Sequence, residues 1–522
     1  MQWTQTFDPF SSPAFSALIA TVPLLVLFVF LAAGRVKGWI AALCSAGVSL
    51  AIAMVFWRMP AAGALSAALF GSAFALFPII WILIAALWIY HLSVDSGQFE
   101  RIKAMLGGMT NDRRLQALFI AFAFGSFLEG TAGFGVPVAI TSAMLVGLGF
   151  DPILAATLCL LANSSPVAFA AAGVPITVAA QASGLDPLEI GSFVALQLPL
   201  LSLFMPLWLS VFLCGWKRSL EILPAILVGG LCLALTQLIV SMTLGPWSTG
   251  VVSGLATVAG LGILMRFWKP KRSWDFGDRI AAPTERRADF TFAEALRAWS
   301  PYLLTSIFVL LWSTPFIKNL LKPTAFRLAW PLLPGPVFLD LSVLSSSGTA
   351  IFAAGLLSVF ILPDLGPRKA LAALGKTIGD LRFTIPTVCL VMANASVMNH
   401  SGMSTSIALL LAGTGPLFPL FAPLLGWIGV VLTGSDTSSN ALFCSLQRTT
   451  ADRLGLNPSL MVAANTSGGV AGKMISPQSL SVATASSGLA GREGTLFRAA
   501  FPHSIAMALM ISLINLGLSF LF

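Results

Sequence analysis

Charge is scarce in this chain. Asp, Glu, Lys and Arg make up 9% of its 522 residues and hydrophobic types 57%, where ordinary soluble domains carry roughly 25% charged residues. That balance excludes a soluble fold and leaves no stretch from which a separate soluble enzymatic domain can be built. Histidine is scarcer: the three residues, His91, His400 and His503, are scattered. Haem ligation by a pair of spans, a zinc site, a Ser/His/Asp hydrolase and an HExxH protease all need ligand or base constellations that three dispersed histidines do not form. The six cysteines, at 44, 159, 214, 232, 389 and 444, stand singly within or at the ends of apolar segments without a CxxC pair. Disulfide and metal roles are therefore not expected, and no cofactor is. The net charge of +9 does not point to nucleic acid, because the Lys and Arg sit in short loops between apolar runs, as the positive-inside rule requires.

What is abundant is apolar sequence in runs of span length. At about 20 residues per crossing, these runs predict an all-α polytopic membrane protein with about 12 spans or span equivalents and short connections. The first runs are Phe15 to Ala33, Trp39 to Trp57 and Ala61 to Tyr90. Arg35 and Lys37 follow the first, and Arg101, Lys103, Arg113 and Arg114 follow the third; placing both loops in the cytoplasm puts the N-terminus outside. No positive n-region precedes the first run, which reads as an uncleaved span rather than a signal peptide. The longest hydrophilic stretch, Lys269 to Ala298, mixes both signs of charge and predicts a solvated cytoplasmic linker. It divides the chain into an N-terminal half, 1–268, and a C-terminal half, 299–522.

Two stretches do not fit plain spans. Phe124 to Val136, FGSFLEGTAGFGV, carries Glu129 among glycines at 125, 130, 133 and 135, which lower helix propensity and predict a broken helix. An ionisable group in hydrocarbon costs roughly 2.5–3.5 kcal/mol on insertion scales, so Glu129 is expected to face a cavity or a bundle interior. The second stretch, LTGSDTSSN, carries Asp436. Downstream features recur in order: Asp151-Pro152, Asn163-Ser164-Ser165 and Pro175 in the first half, then Asn457-Pro458, Asn465-Thr466-Ser467 and Pro477 in the second. The Asn-to-Pro separations agree, and the Pro-to-Asn separations differ by about one helical turn. Interrupted segments at corresponding positions of two halves point to the binding site of a secondary transporter. The pattern leaves open whether the halves are inverted.

The stretches FGSFLEGTAGFGVPVAI, LTGSDTSSNALF and AANTSGGVAGKMISPQSL, with the AWSPYLL that ends the linker, resemble the L-lactate permease family over nearly the whole chain. The resemblance implies a proton-coupled symporter of the bacterial inner membrane for L-lactate and related small 2-hydroxy acids, D-lactate and glycolate among them. It also implies inverted repeats with re-entrant hairpins, and as partners the substrate, H⁺ and the lipid bilayer. The alternatives are a sodium-coupled symporter for another small carboxylate and, in a different class, a proton-translocating subunit of a respiratory complex. The latter gives the Asn-Ser/Thr clusters no use.

A small hydroxycarboxylate needs donors for two oxygens and partners for its hydroxyl, which half-helix N-termini and Ser, Thr and Asn side chains supply. The expected ligands are Asn163, Ser164, Ser165, Asn465, Thr466 and Ser467, with Gly130, Thr131, Ser435 and Thr437 beside the two carboxylates. Interhelical hydrogen bonding and helix capping compete for the same residue types. Lys473, inside an apolar Gly-rich segment, is expected to counter the substrate carboxylate, with snorkelling as its alternative. Ser476 and Gln478 flank Pro477 and are expected to complete the lining. Burial disfavours an ionised carboxyl and a nearby lysine favours it, so Glu129 is the expected proton carrier and Asp436 the second choice. Their structural alternatives are hydrogen bonding to backbone freed at the break and N-capping. His400, beside a loop, is a weaker candidate for proton transfer.

Overall fold

The helix Leu223–Thr243 shows which solvent the chain is built for. Its exposed stripe is apolar, with Leu231, Leu235, Ile239 and Met242, while Gly229, Gly230, Gln237 and Ser241 are buried. A helix on the surface of a soluble protein shows the reverse; small and polar residues inside with apolar residues outside is the packing of helices in lipid. The computed structural model describes residues 3–32, 38–131, 133, 135–276, 291–321, 326–332, 337–362, 365–489 and 492–522. Among them, six helices are long and apolar enough to cross a membrane, or up to nine spans if each of three bent pairs counts as one. Shorter apolar helices lie at Pro13–Leu27, Val136–Gly147 and Gly348–Ile361. The chain is a multi-pass, predominantly helical membrane protein.

Two features differ from expectation. Phe326–Trp330 (β1) pairs with Val337–Leu341 (β2) as an antiparallel hairpin, Phe326 opposite Leu341. Two runs rich in aromatic and aliphatic residues around a Pro/Gly stretch are a hairpin signal, hidden here among equally apolar spans. The helix after the hydrophilic stretch starts at Phe292, before the expected linker end at Ala298, because Thr291 and Glu294 form a capping box. The T-x-x-E spacing carries that signal. The middle of the expected linker, 277–290, lies outside the described residues.

The central helices, in chain order, are α1 (Ala61–Phe74), α2 (Gly125–Thr131), α3 (Val136–Gly147), α4 (Pro152–Asn163), α5 (Ala170–Ser183), α6 (Pro246–Phe267), α7 (Thr384–Ser401), α8 (Phe418–Thr433), α9 (Asp436–Leu454), α10 (Pro458–Lys473) and α11 (Pro477–Ser486). Their starts follow from local sequence. Asp151 accepts from the N–H groups of Ile153 and Leu154 ahead of α4, and Asn457 accepts from Leu460 N–H ahead of α10, each followed by a proline at the first helical position. Cap and proline together make a strong start signal, used twice. Ser435 caps α9 and Ser476 caps α11 in the same manner.

The interruptions are of two kinds. α4 and the segment 167–183 meet at 64°, and Ala171, Ala172 and Gly173 inside that segment have φ of 43°, 55° and 73°. Left-handed backbone costs an L-residue roughly 1–2 kcal/mol, so two consecutive alanines there are strain held by the surrounding packing. α8 and α9 are separated by Gly434 at φ 75°, where glycine carries no such penalty.

At one face of the bundle the buried Arg114 joins three loops. It donates to Asp112 at 3.0 and 2.7 Å, to Glu221 at 2.7 Å, and to the carbonyls of Arg218 and Arg272 at 2.9 Å each. Hydrogen bonding to the two acids holds its guanidinium above the ordinary arginine range, against the desolvation that pulls it down. Arg113 donates to Asp275 at 3.0 Å and to the Leu148 carbonyl at 2.6 Å. The start of the hydrophilic stretch is thereby fastened to the first half.

Candidate functional site

Four helices converge on one cavity. Glu129 reaches it from the last turn of α2, Ser435, Asp436 and Thr437 from the start of α9, and Lys473 from the last residue of α10. Val167 and the α5 residues Ala170, Ala171, Val174 and Pro175 supply an apolar wall. Glu129, Asp436 and Lys473 are 1%, 3% and 7% exposed. The Lys473 ammonium donates to the Gly434 carbonyl at 3.0 Å, so the left-handed turn between α8 and α9 also positions the cation. One of its three donors is used there, and no partner is shown for the other two among the described residues.

The carboxylates are in an unusual position. Glu129 Oε2 and both oxygens of Asp436 have no hydrogen-bond partner among the described residues. Buried polar atoms are nearly always paired, and exceptions mark strain, function or bound water. Asp436 lies in the first turn of α9, where unsatisfied N–H groups and the positive end of the helix dipole favour an anion. The cavity itself has ≈ 20 Å³, room for about one water molecule. A three-carbon hydroxy acid does not fit without movement of its walls.

The other expected ligands divide into three groups. Some have polar groups engaged elsewhere: Thr131 donates to the Phe127 and Leu128 carbonyls, and Ser165 bonds Ser202, which donates to Gln237. Asn465 donates to Asn440 at 2.9 Å and receives Gln447 at 3.2 Å, and Ser467 donates to Gln197 at 2.5 Å. For these the structure shows interhelical or intrahelical bonding, the role that competes with ligand contact. Gly130 packs on Gly250 of α6 so closely that a Cβ would collide with its backbone, Ser476 caps α11, and Gln478 is exposed beside Gly434. Asn163, Ser164 and Thr466 are buried with unpartnered side-chain atoms among the described residues, yet they do not line this cavity. Ala132 and Phe134 of the first motif lie outside the described residues.

The apolar wall on α5 was not anticipated. Its sequence signal is AAAGVP at 170–175: small residues and a glycine before a proline that cannot bond back to the carbonyl four residues earlier. His400 does not reach this cavity; its Nδ1 bonds the Ser396 carbonyl at 2.8 Å.

A family model described as L-lactate permease matches residues 16–522. Among curated relatives, the glycolate permease GlcA of Escherichia coli K12 is 43% identical over 100% of this chain and 98% of its own length. The L-lactate permease of Salmonella typhimurium is 42% identical, covering 98% and 97%, and that of Bacillus subtilis 43%, covering 99% and 98%. Two solved transporters, YdaH of Alcanivorax borkumensis and MtrF of Neisseria gonorrhoeae, superpose with TM-scores of 0.47 and 0.48 at 16% and 14% identity, over 87% of this chain and 87% and 84% of theirs. The chain belongs to the L-lactate permease family, a family of transporters rather than enzymes.

Proposed function

We propose that this protein carries L-lactate, and the related D-lactate and glycolate, across the bacterial inner membrane together with a proton. The observation that carries the reading is the meeting of Lys473 with two buried carboxylates in one cavity lined by both halves of the chain, Glu129 with its Oε2 and Asp436 with both oxygens lacking a partner among the described residues. Full-length relatives named as lactate and glycolate permeases supply the substrate class.

The chemistry couples the two cargoes. Lys473 and the α9 N-terminus attract a carboxylate, whereas two ionised acids beside them repel it. A proton taken by Glu129 removes one of those negative charges, so the substrate anion binds best to the protonated site. Asp436, in the first turn of α9 on the same cavity as Lys473, is the second carboxylate of the site and the other candidate to take the proton. Thr437 and Ser435, at the same cavity, are partners for the substrate hydroxyl.

The two halves are read as inverted repeats. The first hairpin, α2 to α3, has its base at Leu148, against Arg113. The second, α8 to α9, runs toward the far end of α5, where Arg448 donates to the Ser183 carbonyl at 2.5 Å. Leu148 lies just before the start of α4 and Ser183 ends α5, so tips that share the cavity between α4 and α5 while their bases lie at the outer ends of that broken pair fit entry from opposite membrane faces.

Uptake of labelled L-lactate, D-lactate and glycolate into proteoliposomes under imposed pH or sodium gradients tests the reading. Accumulation driven by acid outside is the expected result. Accumulation driven by sodium alone would replace the proton, and no uptake of any of the three acids would overturn the substrate class.

A further inference from the structure

A second cavity lies in line with the first. It has ≈ 480 Å³ and is lined by Phe70 of α1, Gln181 and Ala182 of α5, Asn399 and His400 of α7, and Ser445 of α9. Two of the helices that border the small central cavity, α5 and α9, border this one too. Val174 and Ala182 on α5, and Thr437 and Ser445 on α9, are each eight residues apart, a spacing that moves about 12 Å along the axis and about 80° around it, within one broad side of each helix. Between the two levels Asn440 of α9 donates to the Pro175 carbonyl of α5 at 3.0 Å, with Val178 and Ala441 buried beside it.

The polar equipment of the larger cavity is neutral. Gln181 has its side-chain Oε1 buried without a partner among the described residues. Asn399 accepts from Ser404 at its Oδ1, which leaves the amide N–H donors. His400 bonds the Ser396 carbonyl through Nδ1 at 2.8 Å; since a carbonyl only accepts, Nδ1 carries the hydrogen and Nε2 is the acceptor. Amide donors suit a carboxylate and an imidazole acceptor suits a hydroxyl. Arg448, whose guanidinium also pairs with Asp452 at 3.6 Å, donates to the Ser183 carbonyl of the lining. A volume within the range of roughly 300–1,000 Å³ holds a small molecule with room to spare.

We propose that this cavity is the antechamber of the transport path on the face opposite Arg113 and Arg114, a weak site for the same small hydroxycarboxylate, separated from the central cavity by the Asn440–Pro175 seam. The inference rests on the transport reading above. Neutral donors are suited to the task, because a site passed in transit must release what it binds.

The test uses the full-length protein in vesicles of known orientation, with Ala182→Cys and, independently, Ser445→Cys, and a membrane-impermeant anionic methanethiosulfonate as probe. Reagent on the side away from the Arg113/Arg114 loops is expected to label either cysteine and stop lactate uptake, while the parent with its native cysteines keeps its uptake. Saturating lactate is expected to slow the labelling. Gln181→Leu is expected to raise KM for lactate roughly two- to tenfold, the loss of one hydrogen bond, at unchanged maximal rate. Labelling that leaves uptake intact, labelling only from the opposite side, or an unchanged KM in Gln181→Leu would overturn the antechamber. A parent that carries no lactate or glycolate would instead sink the transport reading itself.

Discussion

Ala171 and Lys473 each stand four residues before a proline, Pro175 and Pro477, and both line the central cavity, yet the two interruptions are built from different materials. In the first half the backbone itself is bent, with two alanines and a glycine left-handed in succession; no charged residue lies between Asn163 and Pro175. In the second half the helix simply ends at Lys473, whose ammonium caps the turn at Gly434, and α11 restarts under Ser476. The first half contributes an apolar wall, strain and one carboxylate; the second contributes the cation, the other carboxylate and a capped helix N-terminus. Recurrent spacing in two halves thus does not carry recurrent chemistry, and on the transport reading proposed above the part that would hold the anion falls to the second.

The largest effect should come from removing the element that has no counterpart. Lys473→Ala leaves two buried carboxylates and an incoming anion without a cation, and removing one partner from a buried charge cluster costs roughly 3–5 kcal/mol. Lactate affinity of the purified protein should therefore fall by at least about 100-fold. An affinity within about twofold of the parent would break the asymmetry, since charge loss on this scale is worth far more.

Glu129→Gln comes next and tests the contribution of the first half. Glutamine keeps the shape and cannot ionise, so lactate exchange should persist while an acid-outside gradient no longer drives accumulation. The same measurement on Asp436→Asn sharpens the comparison: it should weaken binding by disturbing Lys473 and leave whatever transport remains coupled to the gradient. Full gradient-driven accumulation by Glu129→Gln would remove it as the carrier.

The charged residues of this candidate site are legible in the sequence for a physical reason. Charges inside apolar segments are costly enough to be rare, so Glu129, Asp436 and Lys473 stood out, and they share one cavity. Caps and prolines likewise fixed the starts of α4 and α10. The hydroxyl and amide residues were harder. Whether Asn465 faces a ligand or Asn440 depends on which helix lies opposite, a fact of tertiary packing that local sequence does not hold. The spacing offset between the two Asn motifs was a warning: Asn163 ends its helix, whereas Asn465 sits in the middle of α10, which continues to Lys473. The wall of Ala170, Ala171 and Val174 was harder still: alanine and valine carry no signal of their own in an apolar chain, and only the glycine and proline that follow them in AAAGVP mark the break.

The smallest effect is the most specific to the first half. Ala172 is left-handed at φ 55°, which costs an alanine roughly 1–2 kcal/mol; glycine at the same place removes that strain but loses roughly 0.5–1 kcal/mol more chain entropy on folding. Ala172→Gly should therefore raise the stability of the solubilised protein by up to about 1 kcal/mol, seen as a small rise in its thermal midpoint. Gly434→Ala, at φ 75°, should do the opposite and also lower lactate affinity, because its carbonyl holds Lys473. If the strain at Ala172 helps the first half to move, Ala172→Gly should slow turnover while it stabilises, the usual exchange at a strained functional site. A lower midpoint for Ala172→Gly would show that the left-handed turn carries no strain, and the contrast between a strained first half and a charged second half would reduce to charge alone.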